Sequence, residues 1–359
     1  MTGRGVDQIL PHPNTPELYE SYVRDARTYV ELAERTNGAI PQPADFGYIW
    51  GEALGELERA APHLRIVNLE TAVTDEAEPW PRKGIHYRMH PANTPCLTAA
   101  GIDCCVLANN HAMDWGRAGL EQTLAALHAA GIATSGAGRN LEEAAAPAVL
   151  TVPGGSRVLV FAFGHGSSGI PPDWHAGRDR SGVNLLEDLS DRAVARIAAS
   201  IRNAKTAQDI VVASIHWGAN WGYEVPAEHR RFAHQLIEAA GVDVVHGHSS
   251  HHVKAIEVYG NRLILYGCGD LINDYEGISG EEGYRADLAL MYFPSINPAS
   301  GELMRLMLSP TRTARFCISR ANARAAHWLQ RLLSREGAPF GTTVSVDQAH
   351  RLSLSWRSL

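Results

Sequence analysis

The chain has 359 residues, 45% hydrophobic and 20% charged, with a net charge of −7 when histidine is neutral. This is the make-up of an ordinary globular protein, and with no block of Lys and Arg it argues against a nucleic-acid backbone as partner. No apolar run reaches the ~18 residues that span a bilayer, and the opening MTGRGVDQILPHP has no apolar h-region, so no membrane segment and a cytoplasmic location are expected.

Helix and strand signals alternate along the chain. Thr15-Pro16 and helical spacing of Leu18, Tyr22, Ala26, Tyr29, Val30 and Ala33 predict a helix over 17–37, stopped by Gly38. LRIVNLE (64–70) and the start of CCVLANNH (104–108) read as short strands, each running into a polar loop, and a helix is expected from about Arg117 to Ala130. RVLVFAFG (157–164), DIVVASIHWG (209–218) and VDVVHG (242–247) are near-continuous apolar runs, as in strands buried on both faces of a sheet. A helix over 227–240 separates the last two. HVKAIEVY and RLILYG flank Gly260-Asn261, a hairpin turn signal. A helix near 320–335 and a strand near 352–356 complete the α/β reading, with one domain over 1–310 and a helix-strand extension over 311–359 packed on it. Cys96, Cys104, Cys105, Cys268 and Cys317 show no C-x-x-C spacing and read as reduced thiols.

Four polar clusters follow predicted buried strands: Asn68-Leu69-Glu70, Asn109-Asn110-His111 with Asp114, His216-Trp217-Gly218, and Gly247-His248-Ser249-Ser250-His251-His252. Ligand sites in α/β sheets gather beyond the carboxyl ends of strands, so these clusters can converge on one edge. Singly, each has a plain reading: a strand-end carboxylate, an Asn turn, a buried hydrogen-bonded imidazole, loop histidines. Together, imidazoles, a carboxylate and an amide oxygen suit Mn, Fe or Zn, and the lack of thiolates argues against a structural zinc site. Trp217, Trp221 and Tyr223 either line a pocket or only pack.

With these residues in view, the chain resembles the CapA-like family of capsule and poly-gamma-glutamate biosynthesis, within the calcineurin-like metallophosphoesterases. The matching stretches are NLETAVTD (68–75), LANNHAMDWGRAGLEQTL (107–124), GAGRNLEEA (136–144), SIHWGANWGYEVP (214–226), VDVVHGHSSHH (242–252) and LILYGCGDLINDYEG (263–277). The resemblance implies a four-layer α/β/β/α sandwich with two divalent metal ions. It matches Glu70, Asn110, His216, His248 and His251 to metal ligands and His111 to the catalytic histidine, with Asp114 orienting it or only capping the next helix. Relatives carry an apolar strand ending in Gly-Asp before the Met and Gly-Arg that here are Met1 and Gly3-Arg4, so the first strand is expected to be truncated. The implied activity is hydrolysis of a phosphate ester, with metal-bound hydroxide as nucleophile and His111 as general acid. Arg4, Arg88, Arg139 and Trp217 are the candidate contacts to an anionic small-molecule or polymer substrate. The competing readings are a non-hydrolytic, metal-binding accessory in anionic-polymer assembly and a hydrolase of glutamyl amides. No sequence feature bears on oligomeric state.

Overall fold

The computed structural model describes residues 1–278, 280 and 282–357. Among these residues, a seven-stranded sheet has the order Leu185–Leu186, Arg157–His165, Ile210–His216, Val244–His248, Arg262–Leu265, Ile256–Tyr259. Ala148–Thr151 pairs antiparallel with Arg157–His165 as the seventh strand. The first five strands of that order run parallel, and Ile256–Tyr259 closes the edge antiparallel. A smaller parallel sheet contains Ile66–Asn68, Cys104–Val106 and Ala133–Ser135. The fold is α/β, as the alternation of elements predicts.

Ile210–His216 is buried along its whole length, which is why it reads as an unbroken apolar run. Its alternate residues serve two layers. Val211, Ala213 and Ile215 pack on Ile197, Ile201, Phe232 and Leu236 of the helices Asp191–Ala204 and Ala227–Ala240. Val212 joins the opposite core, with Val106 of the smaller sheet and Leu306, Leu308 and Leu329. Cys105 and Leu107 belong to a third core with Leu120, Leu124 and Leu127 of the helix Gly116–Ala129. Each buried aliphatic side chain contributes about 1.5–3 kcal/mol, so this layering carries much of the fold's stability.

Local signals account for several element ends. The helix Ala227–Ala240 starts after Pro226 and stops at Gly241, whose φ of 70° is the left-handed cap. Gly260 and Asn261, at φ 55° and 61°, form the turn between Ile256–Tyr259 and Arg262–Leu265, where a tight hairpin needs positive φ.

One expectation is corrected. The helix predicted over 17–37 is helical only at Arg27–Asn37. Glu17 instead bridges to Asp25, and Glu20 turns inward, wholly buried, to meet Arg4, so an ion pair overrides the helical spacing. The expected boundary at 310/311 falls within the strand Leu303–Ala314. That strand pairs with Leu288–Ile296, Cys317–Arg320 and Leu352–Trp356, so residues on both sides of 310 share one antiparallel sheet. Leu288–Ile296 and Thr342–Val346 are strands of this sheet that the sequence reading did not identify.

At the amino-terminal edge of the large sheet, Asp209 accepts from Arg157 Nε at 2.9 Å and from the Thr206 amide at 2.7 Å. These bonds, the Arg157 bond foremost, hold its carboxyl down at about 2. Because the folded value lies below the unfolded one of about 3.9, the stabilisation is present above that value and fades as pH falls toward 2. Asp209→Asn is therefore expected to lower the urea midpoint near neutral pH, with the gap to wild type closing on acidification. A gap that stays constant over that range would refute the assignment.

Candidate functional site

The carboxyl ends of both parallel sheets meet at one edge. Ile66–Asn68 leads to Glu70, Cys104–Val106 to Asn110 and His111, and the central strands end in His216 and His248. His216 and His248 lie opposite each other in register, so neighbouring parallel strands bring their rings together. His216 Nδ1 is 2.8 Å from His248 Nδ1, and the two nitrogens share one proton position. His216 Nε2 points the other way, 3.1 Å from Asn110 Oδ1 and 3.8 Å from Glu70 Oε1.

Glycine makes this packing possible. A Cβ on Gly247 would lie 2.5 Å from the Leu265 carbonyl oxygen and 2.8 Å from both Trp217 Nε1 and the Tyr266 carbonyl oxygen. Two of these neighbours are backbone, so Gly247→Ala is expected to cost about 1–3 kcal/mol by overpacking. The loss is measured by thermal unfolding; a variant as stable as wild type would show that the strands can part freely.

Burial controls the charge state here. It holds His216 and His248 well below the usual imidazole range and His246 down at about 4, so these rings are neutral, and His216 Nε2 is the nitrogen that faces Asn110 and Glu70. Burial also pushes the Glu70 carboxyl up to about 7, partly opposed by His251 and reinforced by Asp270. Ser214 Oγ joins His246 Nδ1 at 3.0 Å to His248 Nε2 at 2.9 Å, a polar chain beneath the site.

His111 forms a second group. Its Nδ1 is 2.6 Å from Asp114 Oδ2, which also accepts the Tyr87 amide at 2.6 Å. Lys83 Nζ lies 2.7 Å from Asp114 Oδ1 and 3.1 Å from His111 Nδ1. Burial, with Lys83 adding to it, brings His111 down to about 4 against the pull of Asp114, while His111 and Lys83 keep Asp114 below the usual carboxylate range despite its burial. An ionised Asp114 at 2.6 Å fixes the tautomer: Nδ1 carries the proton and donates it, and Nε2 holds the electron pair.

Of the predicted residues, the structure therefore brings together Glu70, Asn110, His111, Asp114, His216 and His248. His251 joins them through its electrostatic coupling to Glu70 and His216. The proposed substrate contacts have partners of their own within the protein. Arg4 is buried, with Nε and Nη2 on Asp274 at 3.0 and 2.6 Å and Nη1 on Glu20 at 2.7 Å, so its donors are consumed internally. Arg88 reaches the Glu76 carbonyl at 2.5 Å and Thr15 Oγ1 at 2.8 Å and lies over Trp115. Arg139 is an exposed partner of Glu143. Trp217 is buried, stacked on His229 at 4.5 Å and donating to the Tyr266 carbonyl, a packing role. The sequence reading missed Lys83, which comes from irregular backbone with no periodicity, and Asp270. Asp270 carried a usable signal, a Gly-Asp pair following a strand.

The donor set suits a divalent cation. Ligands bound at about 2.0–2.2 Å to one ion stand roughly 3–3.6 Å apart. The separations of 3.1 and 3.8 Å around His216 Nε2 are close to that spacing. Among the described residues, no three His, Cys, Asp or Glu side chains form such a group by themselves. The trio that converges, Glu70, Asn110 and His216, takes an amide as its third donor. No helix among the described residues is long and apolar enough to cross a membrane.

Comparison with known proteins agrees with these motifs. Residues 1–275 match the family described as bacterial capsule synthesis protein PGA_cap. The chain is 49% identical over 345 residues to the probable polyglutamine synthesis accessory proteins MT0602 and Rv0574c of two Mycobacterium tuberculosis strains, covering 96% of this chain and 90% of theirs. It is 28% identical over 192 residues to the PGA biosynthesis protein CapA of Bacillus subtilis, covering 54% of this chain and 48% of that one. With a family match spanning its polar strand-end clusters, the chain belongs to the bacterial capsule synthesis, CapA-like family.

Proposed function

We propose that this protein is a metal-dependent hydrolase of phosphate esters, working in the assembly of an anionic capsule-type polymer. The observation that carries the reading is the convergence of Asn110 Oδ1 and Glu70 Oε1 on the neutral Nε2 of His216, at 3.1 and 3.8 Å. Glu70, Asn110 and His216 would hold one ion, with His248 and His251 completing a site for two. The cores on both faces of the large sheet support reading the layers as a four-layer α/β/β/α sandwich.

A bound divalent pair supplies Lewis-acid polarisation and the activation of water at neutral pH. The chain's own part is proton handling. His111 starts neutral with its electron pair on Nε2, because Nδ1–H is given to Asp114. It therefore first takes a proton from the attacking water and then returns it to the leaving oxygen, so general base precedes general acid. Lys83 keeps Asp114 ionised and in place for both steps.

A second reading is favoured by the relatives' names, which for the Mycobacterium proteins say accessory. In that reading the centre binds metal without turnover. Phosphomonoesters, phosphodiesters and γ-glutamyl peptides, each offered with Mn(II), separate the two. The hydrolase reading expects phosphate-ester turnover that a chelator abolishes and Mn(II) restores. Turnover of γ-glutamyl peptides alone would reassign the substrate, and no turnover by metal-loaded protein would leave the accessory role.

A further inference from the structure

Asp270 lies in the loop that follows the strand Arg262–Leu265, and that loop is pinned against the histidine run. Val253 and Cys268 form an antiparallel bridge, and a Cβ on Gly269, at φ 72°, would lie 3.0 Å from the His252 carbonyl carbon and the Val253 nitrogen. Only a glycine with positive φ lets the two backbones approach this closely. The approach sets Asp270 Oδ2 2.9 Å from His251 Nδ1. The carboxylate is itself held, since Asn273 Nδ2 donates to Oδ2 at 3.3 Å while Asn273 Oδ1 accepts the Tyr275 amide at 3.1 Å. Tyr275 and Trp221 pack on the His251 ring, with centroids at 5.3 and 5.6 Å, and limit its rotation.

We infer that Asp270 is a positioning residue of the proposed centre: it takes the Nδ1 proton of His251 and leaves the Nε2 electron pair as the one offered to a divalent cation. The inference rests on the metal reading of the site. A histidine ligand is commonly oriented through its other ring nitrogen by a carboxylate, and losing such a partner typically weakens metal binding by about 10–100-fold. A merely structural ion pair would stabilise the loop without selecting a tautomer.

Two measurements on the full chain separate these roles. Imidazole proton–nitrogen correlation spectra of the metal-free protein at about pH 9, where histidines are neutral, report the His251 tautomer. Wild type and Asp270→Asn are expected to show Nδ1–H, because Asn273 Nδ2 donates at the Oδ2 position and keeps the amide oxygen there to accept that proton, and Asp270→Ala is expected to shift toward Nε2–H. Calorimetric titration with Mn(II) is expected to show about a 10–100-fold weaker site in Asp270→Ala, largely restored in Asp270→Asn. Unfolding in chelator confirms that each variant is folded. An Asp270→Ala protein that keeps the Nδ1–H tautomer and wild-type affinity overturns the inference. A wild-type protein that binds no Mn(II) overturns the metal reading and the cation half of the inference, and the tautomer spectra then decide the orienting role alone.

Discussion

His111→Ala is expected to lower turnover by about 10²–10⁴-fold while leaving Mn(II) content near that of wild type. The two effects separate because both of this ring's roles lie outside the metal trio. Its Nδ1 is committed to Asp114 at 2.6 Å, and the donors that converge on His216 are Asn110 and Glu70. Asp114→Asn is the sharper partner experiment. It keeps the side-chain volume, but Lys83, 2.7 Å from the Oδ1 position, holds the amide oxygen there and turns the NH2 toward Nδ1, which favours a proton on Nε2 and removes the electron pair that takes the first proton. A loss of similar size is therefore expected with the imidazole still present. Lys83→Met should fall in between, since it loosens Asp114 without removing it. Turnover on the best phosphate ester and metal content by elemental analysis check all three. If His111→Ala loses metal and activity together, His111 is a ligand and the proton-handling scheme is wrong.

The parts of this site visible in the sequence are those carried by regular strands. His216 and His248 each end an apolar run in a parallel sheet, so burial pattern and position gave both their depth and their common edge. Asn110 and Glu70 were placed by the same strand-end argument. Apart from Asp270, what escaped comes from contacts that no local pattern encodes. Lys83 approaches Asp114 from irregular backbone. Arg4 reads in the sequence as a contact for an anionic substrate, whereas its partner Asp274 is 270 residues away. Arg139, on a short helix's approach, was legible as charged but not as peripheral. The fold followed the same division. The helix Ala227–Ala240 announces its ends with Pro226 and Gly241, whereas Leu288–Ile296 carries Pro294, which weakened its strand signal although that residue pairs with Leu306.

Arg4→Met is expected to destabilise the protein by about 3–5 kcal/mol, the usual consequence of removing one partner from a buried ion pair. The guanidinium is enclosed. Asp274 takes two of its donors, Glu20 takes a third, and the Tyr29 and Tyr87 rings lie within 4.0 and 4.4 Å of its central carbon. Glu20 and Asp274 have 0% and 1% exposed side chains, so methionine leaves two carboxylates in the core with no cation between them. One of them must take up a proton or admit water. Removing the acids as well tests whether the loss belongs to the pair. Arg4→Met combined with Glu20→Gln and Asp274→Asn should recover part of the stability, because neutral amides cost less to bury than orphaned charges. Since Tyr87 also donates its amide to Asp114, disorder around Arg4 is expected to reach His111 and lower turnover even below the melting transition. Denaturant unfolding and turnover of the single and triple variants decide the matter. A single variant within about 1 kcal/mol of wild type would mean that Arg4 is solvated.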